Sequence, residues 1–256
     1  MRKLLIFLIL NLFYFLISCS SVKKDDSKQF DNRTVVLNLD NSYIKNLEFE
    51  ASFYIKSNFG EFNLTGDVKI EGDQFLSIDF YGPFGIQLAK IYSDTSNFIA
   101  HNLFDNTVYT GSPTEENIFK ATGMYLSVRH LIKIMRSELL YKSEEYISDQ
   151  SQKELELFKR VDQRKFADFV VLNHQKNMKE YQRKGSDNET MFRILLDDYS
   201  VENNYKIAKS LNIVLQDKNF NFKYLAENIK VNSEASKPNK LTIPSEAKII
   251  NLNELN

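Results

Sequence analysis

From Leu47 onward the apolar positions recur at every second residue. Leu47, Phe49, Ala51, Phe53 and Ile55 fall on one face, with Glu48, Glu50, Ser52 and Lys56 on the other. Phe62, Leu64, Gly66, Val68 and Ile70 then alternate with Glu61, Asn63, Thr65, Asp67, Lys69 and Glu71. A period of two belongs to a strand with one buried and one wet face. The intervening Ser57-Asn58-Phe59-Gly60 has the composition of a tight turn, so the two runs predict a hairpin. A second turn at Glu71-Gly72-Asp73 leads to a strand carrying Leu76, Ile78 and Phe80. After Gly82-Pro83-Phe84-Gly85 comes another with Ile86, Leu88 and Ile91. Shorter strands near 97–103 and 107–111, joined at Asp105-Asn106, complete a meander of about six consecutive strands.

The period then changes. Pro113-Thr114-Glu115-Glu116 opens a helix with Thr114 as its N-cap and acids in the first turn, where the helix dipole favours them. Ile118, Phe119 and Thr122 share one side, and Gly123 ends it. Ser127 caps a second helix whose Val128, Leu131, Ile132, Met135 and Leu139 follow helical spacing. The stretch 141–164 is charged and irregular and yields no assignment. Strand-like segments resume at 166–173, 190–196, 205–215 and 220–231, with Asp217-Lys218-Asn219 as a turn before the last, and a short strand over 248–252 follows Pro244. Strands, then helices, then strands predict one antiparallel sheet that curls, with the helices packed on its concave side.

The first residues read MRKLLIFLILNLFYFLISCSS. Arg2 and Lys3 precede an apolar run from Leu4 to Ile17, broken only by Asn11. The run is shorter than the roughly 20 residues needed to cross a bilayer core of about 30 Å, and it fits the apolar region of a secretory signal. Leu16-Ile17-Ser18-Cys19 resembles a bacterial lipobox, in which the cysteine is acylated and the small residue before it admits the peptidase. The expected organisation is therefore a signal peptide over 1–18, a lipidated polar tether over 19–33 and a single domain over 34–256. Two or three acyl chains on Cys19 would anchor the protein stably to a membrane. Cys19 is the sole cysteine, so the domain is held by its core without a disulfide.

Charge and chemistry exclude more than they indicate. The chain carries 33 Lys and Arg against 34 Asp and Glu. That balance, with no basic stripe, argues against nucleic acid as a partner. His101, His130 and His174 are isolated along the chain and lack metal-ligand spacing. There is no Gly-rich phosphate loop. The Ser21–Lys24 match to Ser-x-x-Lys lies in the tether, and Asp197-Asp198 reads as turn chemistry at a strand end. No catalytic residue, metal or cofactor is expected. The unusual element is Gly82-Pro83-Phe84-Gly85. Pro83 fixes φ and the flanking glycines allow positive φ, so the chain turns sharply and carries a large apolar ring at its tip. That ring either folds back under the sheet edge or projects as an exposed apolar tip.

The order of these motifs resembles the LolB family of outer-membrane lipoprotein receptors, and equally an uncharacterised lipoprotein family with the LolA–LolB fold. The order runs from lipobox and polar tether to a β meander with a Pro-apolar-Gly turn. It continues with an Asp-Asn turn before Tyr109, Glu-Glu-x-Ile-x-x-x-x-Gly and a second amphipathic helix. The likeness covers about Leu47 to Leu140. It implies an incomplete antiparallel barrel of about 10–11 strands with a helical pair plugging a hydrophobic cavity. It also implies a non-enzymatic role: accepting acylated lipoproteins from a LolA-like periplasmic carrier and inserting them in the outer membrane, as a lipid-anchored monomer facing the periplasm. By the same resemblance Phe84, with Pro83 and Gly85, is the membrane-insertion tip. Phe49, Phe53, Leu64, Val68, Ile78, Phe80, Ile132 and Met135 become candidate lining of an acyl cavity; their other reading is an ordinary filled core. A binding or scaffold lipoprotein of the cell envelope, without transfer activity, is the alternative function. The chain departs from the family pattern in having no tryptophan and a longer 141–164 segment.

Overall fold

The computed structural model describes residues 41, 43–57, 60–122, 125–149, 156–162, 166–215, 219–233 and 241–255. Cys19, the expected signal peptide and tether, Asn58-Phe59, Gly123 and Asp217-Lys218 lie outside the described residues.

The first meander comprises β1 (Asn46–Ser57), β2 (Gly60–Glu71), β3 (Phe75–Tyr81), β4 (Gln87–Ser93), β5 (Phe98–Asn102) and β6 (Thr107–Gly111). Two helices follow, α1 (Glu115–Thr122) and α2 (Val128–Met135). The second meander comprises β7 (Ile147–Asp149), β8 (Glu156–Val161), β9 (Ala167–Leu172), β10 (Met178–Lys184), β11 (Thr190–Glu202), β12 (Tyr205–Leu215) and β13 (Phe220–Val231), and β14 (Lys248–Asn251) closes the chain.

All of these strands join in one 14-stranded sheet, ordered β14-β6-β5-β4-β3-β2-β1-β13-β12-β11-β10-β9-β8-β7. Pairing is antiparallel throughout except for β14, which runs parallel to β6. The two meanders meet where β1 pairs with β13. β7 and β14 end the sheet without pairing to each other, so the curled sheet stays an open, incomplete barrel. β6 lies one strand from one margin and β7 forms the other, so the connection through α1 and α2 must pass from one side of the sheet to the other. This topology lays the helical pair across the concave face.

Local chemistry accounts for the helices. The Thr114 hydroxyl accepts the Asn117 N–H at 3.3 Å, and the Ser127 hydroxyl accepts the His130 N–H at 3.2 Å. Each satisfies an N–H that the helix itself leaves without a partner. Val128, Ile132, Ile134 and Met135 of α2 are buried.

The structure corrects the sequence reading in four places. The sheet has 14 strands rather than about 10–11. Part of the difference is β7 and β8, which occupy the segment judged irregular. Another part is β10, which the hydrophobic pattern does not reveal. A register shift between Met178 and Glu180 breaks its alternation, and one of its inward residues is Arg183. Asp197-Asp198 lies inside β11 rather than at a strand end, with Asp198 at φ 53°. Finally, α2 stops at Met135 instead of reaching Leu139, because the chain turns at Ser137 with φ 59°. Leu139 and Leu140 are buried from the segment that follows.

Gly66 shows how tightly the sheet is packed. It faces Ala51 of β1 and Phe80 of β3. A Cβ placed there would lie 2.2 Å from the Asp79 carbonyl oxygen and 3.0 Å from the Phe53 ring. Backbone cannot yield as a side-chain end can, so Gly66→Ala is expected to destabilise the domain by about 1–3 kcal/mol, read as a lowered urea midpoint.

Candidate functional site

The inner face of β13, β1, β2 and β3 carries a continuous apolar strip. In its deeper part Phe49, Phe53, Val68, Ile78 and Phe80 are buried, as are Ile132 and Met135 on α2. Phe53 meets the Phe80 ring edge-on with centroids 4.9 Å apart, and the Phe49 and Tyr224 rings lie 5.3 Å apart. Side chains bordering an open hollow would present surface to it. These present almost none, so the strip beneath α2 is packed by its own side chains.

Toward one end of the sheet the strip opens. The registers Ile55↔Phe222 and Ile55↔Phe62 set these three residues in one row, a step beyond the row of Tyr224, Phe53 and Leu64. Leu64, Ile55 and Phe222 are half-buried, and Phe62 is 44% exposed. No polar side chain interrupts the row, so the strip continues into an apolar mouth. The signal for it was the unbroken alternation through Ile55 and Phe62 to the ends of both strands, which marks an inner face extending past what the helices cover.

Phe84 stands at this same end of the sheet. The Gly82 N–H donates to the Ile86 carbonyl at 2.8 Å, closing a tight turn. Pro83 leads into it, Phe84 takes φ 62° and ψ 19°, and Gly85 takes φ 72°. Of the two placements left open by the sequence, the exposed one is observed: the Phe84 ring is 100% exposed. A left-handed backbone costs a residue with a Cβ roughly 1–2 kcal/mol, and no packing of this ring offsets that cost.

Beneath the helices lies a buried charged network. Arg183 of β10 and Asp168 of β9 are both fully buried and paired, Nε to Oδ1, at 2.7 Å. The Arg183 guanidinium also donates to the Tyr125 carbonyl, in the link between α1 and α2, and to the Tyr141 hydroxyl, each at 2.7 Å. Glu115 of α1 approaches Arg183 to 3.7 Å and His130 of α2 to 3.2 Å. The Tyr181 hydroxyl donates to Asp168 at 2.5 Å. Burial, reinforced by the nearby Asp168 charge, pushes that hydroxyl well above its ordinary range, so it remains a donor. Arg160 of β8 donates to Asp168 at 3.1 Å and covers the Tyr141 ring at 3.5 Å. At the far end of α2, buried Arg136 donates to Asp73 at 3.0 Å and to the Gly72 carbonyl. The helical pair is thus fastened to the sheet at both ends by Arg183 and Arg136, neither of which sequence reasoning singled out. A buried charge on a strand leaves no hydrophobic signature, and its partners are distant in the chain.

The arrangement offers apolar surface beside a helical pair fastened at both ends. His101 accompanies Asn106 at 3.0 Å, and His174 lies in an exposed turn. Among the described residues no cluster of His, Cys, Asp or Glu is placed to hold a metal ion, and no helix is long and apolar enough to cross a membrane.

No family model matches the chain, and no curated protein matches it. Solved structures do. A DUF1329 family protein from Desulfovibrio piger ATCC 29098 superposes with a TM-score of 0.56 at 9% identity, over 80% of this chain and 91% of that one. A putative outer membrane lipoprotein-sorting protein domain from Vibrio parahaemolyticus superposes at 0.52 and 10% identity, over 75% and 87%. A LolA superfamily protein from Nitrosomonas europaea aligns at 0.48 and 5% identity, over 75% and 89%. The first two share this architecture, an open antiparallel sheet curled into an incomplete barrel with a helical pair.

Proposed function

We propose that this chain is a non-enzymatic, lipid-anchored protein of the cell envelope that binds the acyl chains of lipoproteins and delivers them to the outer membrane. The acyl chains enter at the apolar mouth of Ile55, Phe62 and Phe222 and are sheltered between α2 and the deeper strip, after arrival on a LolA-like carrier. Phe84, presented by Pro83 and Gly85, enters the membrane during release, and Cys19 holds the protein there as a monomer. The observation that carries this reading is a fully exposed aromatic ring, held in a costly backbone conformation, at the open end of an apolar strip. Support comes also from the fold shared with a putative lipoprotein-sorting domain.

Transfer between a protein cleft and a bilayer needs no energy source, because both are apolar surroundings for a fatty chain. Occupancy of the deeper strip requires the helical pair to lift. The packing of that strip favours a second reading, a binding or scaffold lipoprotein that keeps the fold without transfer. Photo-crosslinking in cells decides between them. A photoreactive residue at Ile132 or Met135 is expected to capture acylated lipoproteins, and Cys19→Ser is expected to release the protein from the membrane fraction. Absence of lipoprotein adducts from both positions would leave the scaffold reading.

A further inference from the structure

The turn next to Phe84 carries a second exposed ring. Between β5 and β6 the chain passes through Leu103 and Phe104, and Phe104 is 89% exposed. The Leu103 N–H donates to the Leu88 carbonyl at 2.9 Å, which sets this turn beside the first residues of β4. β3, β4, β5 and β6 are consecutive neighbours in the sheet. At about 4.8 Å per strand, the two hairpin tips stand within roughly 10–15 Å of each other. Each has an exposed aromatic with an exposed aliphatic beside it, Phe84 with Ile86 and Phe104 with Leu103. Both tips are set in polar residues: Gln87 behind the first, and Asn102, Asp105 and Asn106 around the second.

We infer that Phe104 and Leu103 form a second membrane-entering prong beside Phe84, so that the domain seats on a lipid bilayer through two adjacent hairpin tips; the inference rests on the lipid-handling reading above. The shape selects the partner. A stable protein contact needs a broad complementary surface of about 800 Å² on each side, whereas these are two narrow convex projections with polar shoulders. A fluid bilayer interface accepts such a shape, with rings among the acyl chains and amides at headgroup level. The position of the chain entry is compatible. The Lys45 backbone N–H donates to Asn232 Oδ1 at 2.7 Å, at the sheet end opposite the prongs. β1, 12 residues long, spans about 40 Å between the two ends. The chain from Ser20 to Asn41, about 22 residues, extends to about 75 Å at most, enough for an anchored Cys19 and the prongs to reach one membrane.

The absence of tryptophan makes the test direct. Phe84→Trp, Phe104→Trp and Val201→Trp, each in the full lipidated chain, give single reporters at the two prongs and at an exposed site of the opposite end. Vesicles of phosphatidylglycerol with dibrominated phosphatidylcholine quench an indole that enters the acyl region. The expected result is a blue-shifted emission and at least twofold quenching at 84 and 104, with none at 201. Quenching at 84 without quenching at 104 overturns the second prong and leaves the transfer reading standing; Phe104 then belongs to a protein contact or to none. No quenching at either prong overturns both. Equal quenching at 201 shows unoriented adsorption and overturns the prong.

Discussion

Asp168→Ala is expected to lower the stability of the domain by about 3–5 kcal/mol, the cost of leaving a buried charge without its partner. Asp168 has no exposed side-chain surface and accepts from Arg183, Arg160 and Tyr181. Its removal leaves two guanidinium groups facing each other, one of them fully buried, and a phenol without its acceptor. Asp168→Asn retains an acceptor oxygen and loses the charge, so its cost should fall between alanine and the parent. Urea unfolding measures the series. With a slope of about 2–3 kcal/mol per molar, the alanine variant should unfold about 1–2.5 M earlier. A change under about 1 kcal/mol would show that the network does not hold the helices to the sheet. Arg183→Met should act more locally. It removes the donor to the Tyr125 carbonyl and to Tyr141, so amide exchange is expected to accelerate over 115–140 while β1–β3 keep their protection.

The second large effect separates function from folding. Phe84→Glu is expected to leave stability within about 0.5 kcal/mol of the parent, because the ring packs against nothing and glutamate meets the same left-handed backbone. Release of acylated cargo into liposomes should nevertheless fall by tenfold or more. Burying a Phe side chain contributes roughly 1.5–3 kcal/mol, and each 1.4 kcal/mol is a factor of ten in partition. Phe84→Gly is a stricter companion, since it removes the ring without adding a charge and suits φ 62°. Transfer at parental rate by both variants would remove Phe84 from the mechanism, whatever its exposure.

Much of the fold was legible because its signals are local. The alternation through Leu47–Ile55 and Phe62–Ile70 fixed the β1–β2 hairpin with its inner and outer faces, and Thr114 and Ser127 marked both helix starts. Legibility failed where a residue's role depends on distant partners. The strand at Met178–Lys184 was hidden because its inward Arg183 reads as surface until Asp168, Tyr125 and Tyr141 are brought around it. Phe104 passed unnoticed for the opposite reason. A lone aromatic in a turn carries no pattern, and only the pairing of β4 with β5 puts it beside Phe84. The mouth lay between these cases: Phe62 was placed on the correct face, but nothing in one strand says how far a helix from another part of the chain will cover it.

The route of the chain from β6 to β7 has a mechanical corollary. A flap hinged at one side can swing clear while its frame stays still. Here the frame and the flap are one strap, sewn to opposite sides of an unclosed cylinder, so anything wedged beneath it draws on both seams together. Raising the strap and widening the cylinder become a single motion. On the proposed reading the bulk of a guest would be felt by the sheet's whole circumference, with the unpaired margins β7 and β14 as the slack that lets it give.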